Sequence, residues 1–337
     1  MPRNLENDDQ LLRVNPLRIH RTQKASDPIT YVDLMSDPKG EKFVIRKGMT
    51  MGERPLEKER LDQFEQEFNT TQEMGGLTSH VPYAWDLRIN QNQSEISFLC
   101  DHIKGHSLEQ IIENGPLPIA YIRQVSLRVA EALRITHQHD IIHRDIKPGN
   151  IMITHEGESP HVHLLDWGAA CEYPTTDPIK PYGTPAYLAP EAIQQDDERK
   201  LNSDVITPAV DVYALGILIY KMLTQDLPFG AQDFLKSAKT KKNPWPFSYF
   251  GFEYPAELQR VIFKAIHKHQ DTRYKTVQGF KKALGNAFAP IAKNPSKTIN
   301  DFRRIEDEGP SLSDLEDIEF LDEDEYKATL AAAARGE

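Results

Sequence analysis

Short apolar runs at Phe43-Val44-Ile45-Arg46-Lys47 and Ile96-Ser97-Phe98-Leu99-Cys100 read as strands, the second preceded by the polar turn Asn90-Gln91-Asn92-Gln93. Between them, residues 55–74 are rich in Glu and Gln and carry Leu61, Phe64 and Phe68 at helical spacing. Residues 29–103 therefore predict a small β-rich lobe interrupted by one helix. Beyond Gly105 the pattern turns helical. Residues 119–137 carry a long apolar periodicity, and residues 211–223 are apolar on nearly every side, as expected of a helix buried at the centre of a lobe.

Length and composition agree with this division. A chain of 337 residues fits one large two-lobed domain or two ordinary ones. The N-terminal stretch lacks an apolar segment of the secretory kind, and the apolar run within residues 214–220 is far shorter than the roughly 20 residues of a membrane span. A soluble, intracellular, cytoplasmic protein without a membrane partner is expected. The two cysteines, Cys100 and Cys171, form no disulfide framework and lack metal-type spacing. His155, His161 and His163 flank a hairpin, with His161 and His163 opposite apolar Val162 and Leu164; without an accompanying acid or Cys cluster they read as strand histidines rather than metal ligands.

Charge is uneven. Residues 294–337 hold 13 acidic and 5 basic residues, a net of −8 out of −11 for the whole chain, which marks a separate acidic tail expected to be disordered. Within it Ser313 and Glu316 have the spacing of a capping box, and Leu312, Leu315 and Ile318 recur every three residues, so a short helix could form against a surface. The complementary patch in the sequence is Lys236, Lys239, Lys241 and Lys242, making the tail a candidate ligand for its own C-terminal lobe or for a basic partner. Nothing suggests a nucleic-acid-binding surface.

The chemistry-bearing residues cluster in order. His143-Arg144-Asp145-Ile146-Lys147-Pro148-Gly149-Asn150 sets an acid, a cation and an amide at spacings that phosphoryl transfer can use. It is followed by Asp166-Trp167-Gly168, by Gly183-Thr184-Pro185-Ala186-Tyr187-Leu188-Ala189-Pro190-Glu191, by Asp211 at the start of the apolar helix and by Arg273. Over residues 17–293 this series resembles eukaryotic-type (Hanks-type) Ser/Thr protein kinases, with Trp167 where the family has Phe in its Asp-Phe-Gly motif.

The resemblance implies an α+β, protein-kinase-like two-lobed fold: an N-terminal extension (1–16), a β-rich N-lobe (17–103), a larger helical C-lobe (104–293) and the tail (294–337). It also implies transfer of the γ-phosphoryl group of ATP, with Mg²⁺, to Ser or Thr hydroxyls of protein substrates. On that resemblance Asp145 accepts or orients the substrate proton, Lys147 contacts the γ-phosphate, and Asn150 and Asp166 hold Mg²⁺. Lys47 is the phosphate-pairing lysine. Its helix partner is chosen as Glu67 over Glu65 and Glu59, because Phe64 and Phe68 bracket Glu67 on the inward face. Cys100 falls at the gatekeeper position, the backbones of Asp101 and Ile103 at the adenine edge, and Met152 beneath the base. Thr175, Thr176 and Thr184 belong to the activation segment, where a phosphate on Thr175 or Thr176 could pair with Arg144. Glu191, Arg273 and Asp211 are assigned structural roles.

Two departures stand out. Kinases cover the phosphates with a glycine-rich loop, yet this chain has no glycine before Gly40, and its aligned stretch, Arg21-Thr22-Gln23-Lys24-Ala25-Ser26-Asp27-Pro28, leaves Thr22, Lys24 and Ser26 as substitutes. Ile45 replaces the small residue that roofs adenine. These changes predict weak ATP binding and motivate an alternative reading as a pseudokinase scaffold. A third, a small-molecule phosphotransferase, leaves residues 183–191 and the Asp211 helix without a purpose.

Overall fold

The computed structural model describes residues 18–24, 29–157, 159–174, 183–193, 206–229, 243–293 and 298–302. They divide between two compact units: residues 1–105 with 163–170, and residues 106–162 with 171–337. The expected break at 103/104 thus lies two residues later, and the Asp166 segment belongs with the first unit, although it follows the His143–Asn150 stretch in sequence.

The first unit is built on a five-stranded antiparallel sheet of β1 (Arg18–Lys24), β2 (Thr30–Ser36), β3 (Phe43–Thr50), β4 (Ala84–Ile89) and β5 (Glu95–Asp101), in the order β1-β2-β3-β5-β4. Helix α1 (Lys58–Leu77) buries Leu61, Phe64, Phe68 and Met74 at three- and four-residue spacing. Its aromatics meet the sheet at Phe98, with ring centroids 5.2 Å (Phe64) and 5.6 Å (Phe68) away. The helix begins three residues later than its pattern, because Glu57 is still extended (φ −61°, ψ 139°). At its other end Gly75 lets the chain fold back closely: a Cβ there would lie 2.6 Å from both Pro82 O and Tyr83 Cα.

Side chains on successive strand residues point to opposite faces. On one face of the sheet, fully buried Asp33 accepts from Arg46 Nε (2.9 Å), Arg46 Nη2 (2.5 Å) and Thr22 Oγ1 (2.7 Å), tying β1, β2 and β3 together. Thr22, a sequence candidate for replacing the glycine loop, therefore gives its hydroxyl to the sheet. Ser26 lies outside the described residues.

The second unit contains β6 (His106–Ser107), α2 (Leu108–Glu113), α3 (Ile119–Gln138), β7 (Ile141–Ile142), β8 (Ile151–Glu156), most of β9 (Ser159–Leu164), β10 (Cys171–Glu172), α4 (Ala209–Thr224), α5 (Ala256–Ala265) and α6 (Val277–Phe288). Strand β8 pairs between β6 and β9, and β7 pairs with β10. Helix α4 is buried continuously from Ala209 to Tyr220, which accounts for its nearly all-apolar sequence. Helix α3 packs on α4 and α6, and α5 packs on both of those.

The chain past α6 remains attached to this unit beyond the boundary drawn at 293. Thr298 bridges to Pro118, the Glu253 amide donates to Phe302 O (2.7 Å), and the Phe302 ring lies 5.2 Å from that of Tyr254. Among the described residues no helix is long and apolar enough to cross a membrane. Thr175, Thr176, Lys236, Lys239, Lys241, Lys242 and everything after Phe302 lie outside the described residues.

Candidate active site

In the first unit, strand β3 turns Lys47 toward α1, where Lys47 Nζ lies 2.5 Å from Glu67 Oε1; of the three glutamates weighed from sequence, Glu67 is the partner. The same ammonium lies 2.8 Å from Asp166 Oδ1. Asp166 has a left-handed backbone (φ 62°), Gln63 Nε2 donates to Gly168 O (3.1 Å), and the Trp167 side chain is buried. Burial works against the Lys47 ammonium, but the Glu67 and Asp166 carboxylates outweigh it and raise its pKa. Glu67 is also pushed up, by burial and by the like charge of Asp166 against the attraction of Lys47. One cation, Lys47, thus bridges the two carboxylates.

Strand β5 carries Cys100, Asp101 and the following Ile103 in the same unit. Cys100 pairs across the sheet with Ile45. Burial pushes its thiol up to about 12, with Asp101 adding to the shift, so it stays protonated near neutrality. The Asp101 amide donates to Tyr83 O (3.0 Å), and its Oδ2 accepts from the Tyr83 amide (2.9 Å). The Ile103 carbonyl accepts from Gly105 (3.0 Å).

In the second unit, the residues after β7 gather around Asp145. Lys147 Nζ lies 2.8 Å from Asp145 Oδ2 and 2.8 Å from Thr184 Oγ1. The Thr184 hydroxyl and amide both donate to Asp145 Oδ1, at 3.0 and 2.9 Å. Asn150 Nδ2 donates to the carbonyl and to Oδ2 of Asp145, at 2.9 and 2.8 Å. Met152, on β8, is half-buried and pairs with Ser107. Sequence reasoning placed Thr184 in the activation segment without detecting that it completes the Asp145–Lys147 arrangement.

This loop is held from below. Asp211, fully buried at the start of α4, accepts from the amides of His143 (2.9 Å) and Arg144 (2.8 Å), and His137 Nε2 lies 2.8 Å from its Oδ2. Burial opposes the Asp211 carboxylate, but the His137 and His143 interactions prevail and lower its pKa. His137 was missed from sequence, where one histidine on an amphipathic helix gives no signal. Arg273 holds Glu191 through both guanidinium tips (2.6 and 2.7 Å) and stacks over Tyr213, 4.7 Å from the ring centroid.

In the first unit Asp166 offers a half-exposed carboxylate, and in the second Asn150 uses its amide N–H groups on Asp145 and keeps a carbonyl oxygen; each is an oxygen donor of the hard kind that Mg²⁺ takes. Among the described residues there is no group of three or more His, Cys, Asp or Glu arranged to hold a metal. His155 is exposed and stacks on Tyr121 with centroids 6.1 Å apart, while His161 and His163 alternate with buried Val162 and Leu164 along β9.

Residues 32–284 match the protein kinase domain family. Among curated relatives, serine/threonine-protein kinase PknB of Mycolicibacterium smegmatis is 29% identical over 212 residues, covering 60% of this chain and 32% of the relative. Serine/threonine-protein kinase Pkn1 of Myxococcus xanthus is 34% identical over 182 residues, covering 52% of this chain and 25% of the relative. Serine/threonine-protein kinase PrkC of Bacillus subtilis is 28% identical over 243 residues, covering 68% and 35%. The chain thus spans about a third or less of the length of each of these relatives.

Proposed function

Because the chain belongs to the protein kinase domain family, we propose that it is an ATP-dependent protein serine/threonine kinase. The observation that carries this reading is the Asp145–Lys147–Thr184 arrangement, in which one carboxylate is bonded by an ammonium, a hydroxyl and an amide. Phosphoryl transfer asks a protein mainly for alignment and charge compensation. Asp145 orients the acceptor hydroxyl and takes its proton, and Lys147 meets the negative charge on the transferring group. Lys47, fixed by Glu67, aligns the nucleotide phosphates, while the backbones of Asp101 and Ile103 receive the adenine edge and Met152 packs against the base. Asn150 and Asp166 would hold Mg²⁺, which when bound supplies charge compensation on the phosphate oxygens.

Thr175 and Thr176 are proposed acceptors of an activating phosphate, tested by the Thr175→Ala/Thr176→Ala double variant, which should lose activity. The names of the relatives support Ser/Thr specificity and protein substrates. The departures at the glycine loop and Ile45 concern the strength of ATP binding, and the pseudokinase alternative rests on them alone. The deciding experiment is incubation of the purified chain with labelled ATP, Mg²⁺ and a generic basic protein. Label on Ser and Thr that disappears in Asp145→Asn and Asp166→Ala supports the proposal; transfer near wild type in both variants, or no transfer by the wild-type chain, overturns it.

A further inference from the structure

We propose that the cleft between α3 and α6 of the second unit is the docking site of this chain's own acidic C-terminal segment, centred on residues 312–319. The cleft has a volume of about 570 Å³ and is lined by Arg123, Leu127, Arg128 and Glu131 of α3 and by Lys281 of α6. Residues 123, 127 and 131 are spaced by four and share one helix face. Glu131 is already neutralised: Arg134 Nε and Nη2 reach it at 3.0 and 2.7 Å, and Lys281 Nζ at 2.6 Å. Among the described residues, by contrast, Arg123 and Arg128 have no ion-pair partner, and the buried Arg123 Nε has no hydrogen-bond acceptor. A guanidinium left in that state favours an incoming anion, because a buried N–H without an acceptor is costly.

Charge and the path of the chain past α6 both point to this occupant. Residues 303–337 hold 12 Asp and Glu against 4 Lys and Arg. The chain reaches them after pairing Thr298 with Pro118, the residue that precedes the first turn of α3, and after anchoring Phe302 beside Tyr254. From Phe302 to Leu312 the backbone can extend roughly 35 Å, whereas the whole of α3 is about 30 Å long. The acidic segment is therefore tethered within reach of the cleft, at the high effective concentration a short linker gives. Glu316, Asp317 and Glu319 supply carboxylates for the two arginines, and Leu315 or Ile318 supplies an apolar contact for Leu127. The lysine patch at residues 236–242, the docking site suggested by sequence, lies outside the described residues.

The test is zero-length carbodiimide coupling of the full-length chain at low ionic strength, with the Lys281–Glu131 link as internal standard. Docking predicts links from Lys281 to Glu316, Asp317 or Glu319, reduced at least tenfold in Arg123→Glu/Arg128→Glu and by 0.5 M salt, which shortens screening to a few ångströms. The variant Glu316→Gln/Asp317→Asn/Glu319→Gln leaves the body untouched and should speed proteolytic cleavage of the tail at low salt. Tail carboxylates coupled only to lysines elsewhere, or tail cleavage unchanged in that variant, would overturn the proposal. Links between isotopically light and heavy chains would overturn it in favour of a second copy as occupant. Because the readout is a covalent link rather than activity, it stands or falls separately from the kinase assignment.

Discussion

The amide and the hydroxyl of Thr184 both donate to the same oxygen of Asp145, at 2.9 and 3.0 Å. The other Asp145 oxygen takes Lys147 and Asn150, so each oxygen of the carboxylate is held by two donors. Thr184→Val keeps the shape but removes the hydroxyl from both Asp145 and Lys147. Hydrogen bonds to charged groups contribute about 1.5–3 kcal/mol, so kcat should fall roughly 10- to 100-fold. Steady-state kinetics of Thr184→Val and Thr184→Ser check this, with the serine variant expected close to wild type.

Lys47 is shared between Glu67 and Asp166. Lys47→Ala should lower kcat/KM by about 10²- to 10³-fold, the usual cost of deleting one preorganised charge. Glu67→Gln should cost less, because Asp166 still anchors the ammonium. Equal losses in the two variants would show that Asp166 does not hold Lys47 unaided.

Gly183 adopts φ 123°, and a Cβ there would stand 2.5 Å from Leu188 Cδ2 and 2.9 Å from the Arg144 carbonyl. The leucine could move; the Arg144 backbone could not without disturbing Asp145. Gly183→Ala should therefore destabilise the fold by about 1–3 kcal/mol and lower kcat as well, because Thr184 follows immediately. Thermal denaturation and kinetics on the same preparation test the pair of effects.

Glu131 is held at about 2 by its hydrogen bonds to Arg134, against partial burial, with Lys281 adding to them. Folding lowers this pKa from 4.5, so the stabilisation is complete above the unfolded value and is lost as pH falls toward about 2. The stability difference between wild type and Glu131→Gln should be constant near neutrality and close across that acidic window. Urea titrations at a series of pH values measure it.

Much of the fold was legible because its elements carry strong local patterns. The all-apolar run of α4 reads as a buried helix, and Phe64 with Phe68 marks the inward face of α1 and hence Glu67. The α+β class and the family followed from ordered motifs. What stayed hidden depends on register or on distant chain segments. The Asp33–Arg46–Thr22 ladder exists only once β1, β2 and β3 are aligned, and Thr184 meets Asp145 across 39 residues of sequence. The return of residues 163–170 to the first unit is likewise invisible to any local window. His137 gave no signal because its partner, Asp211, lies on another helix.

Asp211 hangs the loop that follows β7 from the most deeply buried helix of the second unit, which sets how fast the amides of that loop exchange with solvent. The His143 and Arg144 amides are sealed against a carboxylate that solvent cannot reach while α4 is packed. They should exchange with deuterium only at the slow rate of the α4 amides, through opening of the whole unit rather than local loop motion. A loop, ordinarily the part of a protein that breathes first, would here share the lifetime of the core.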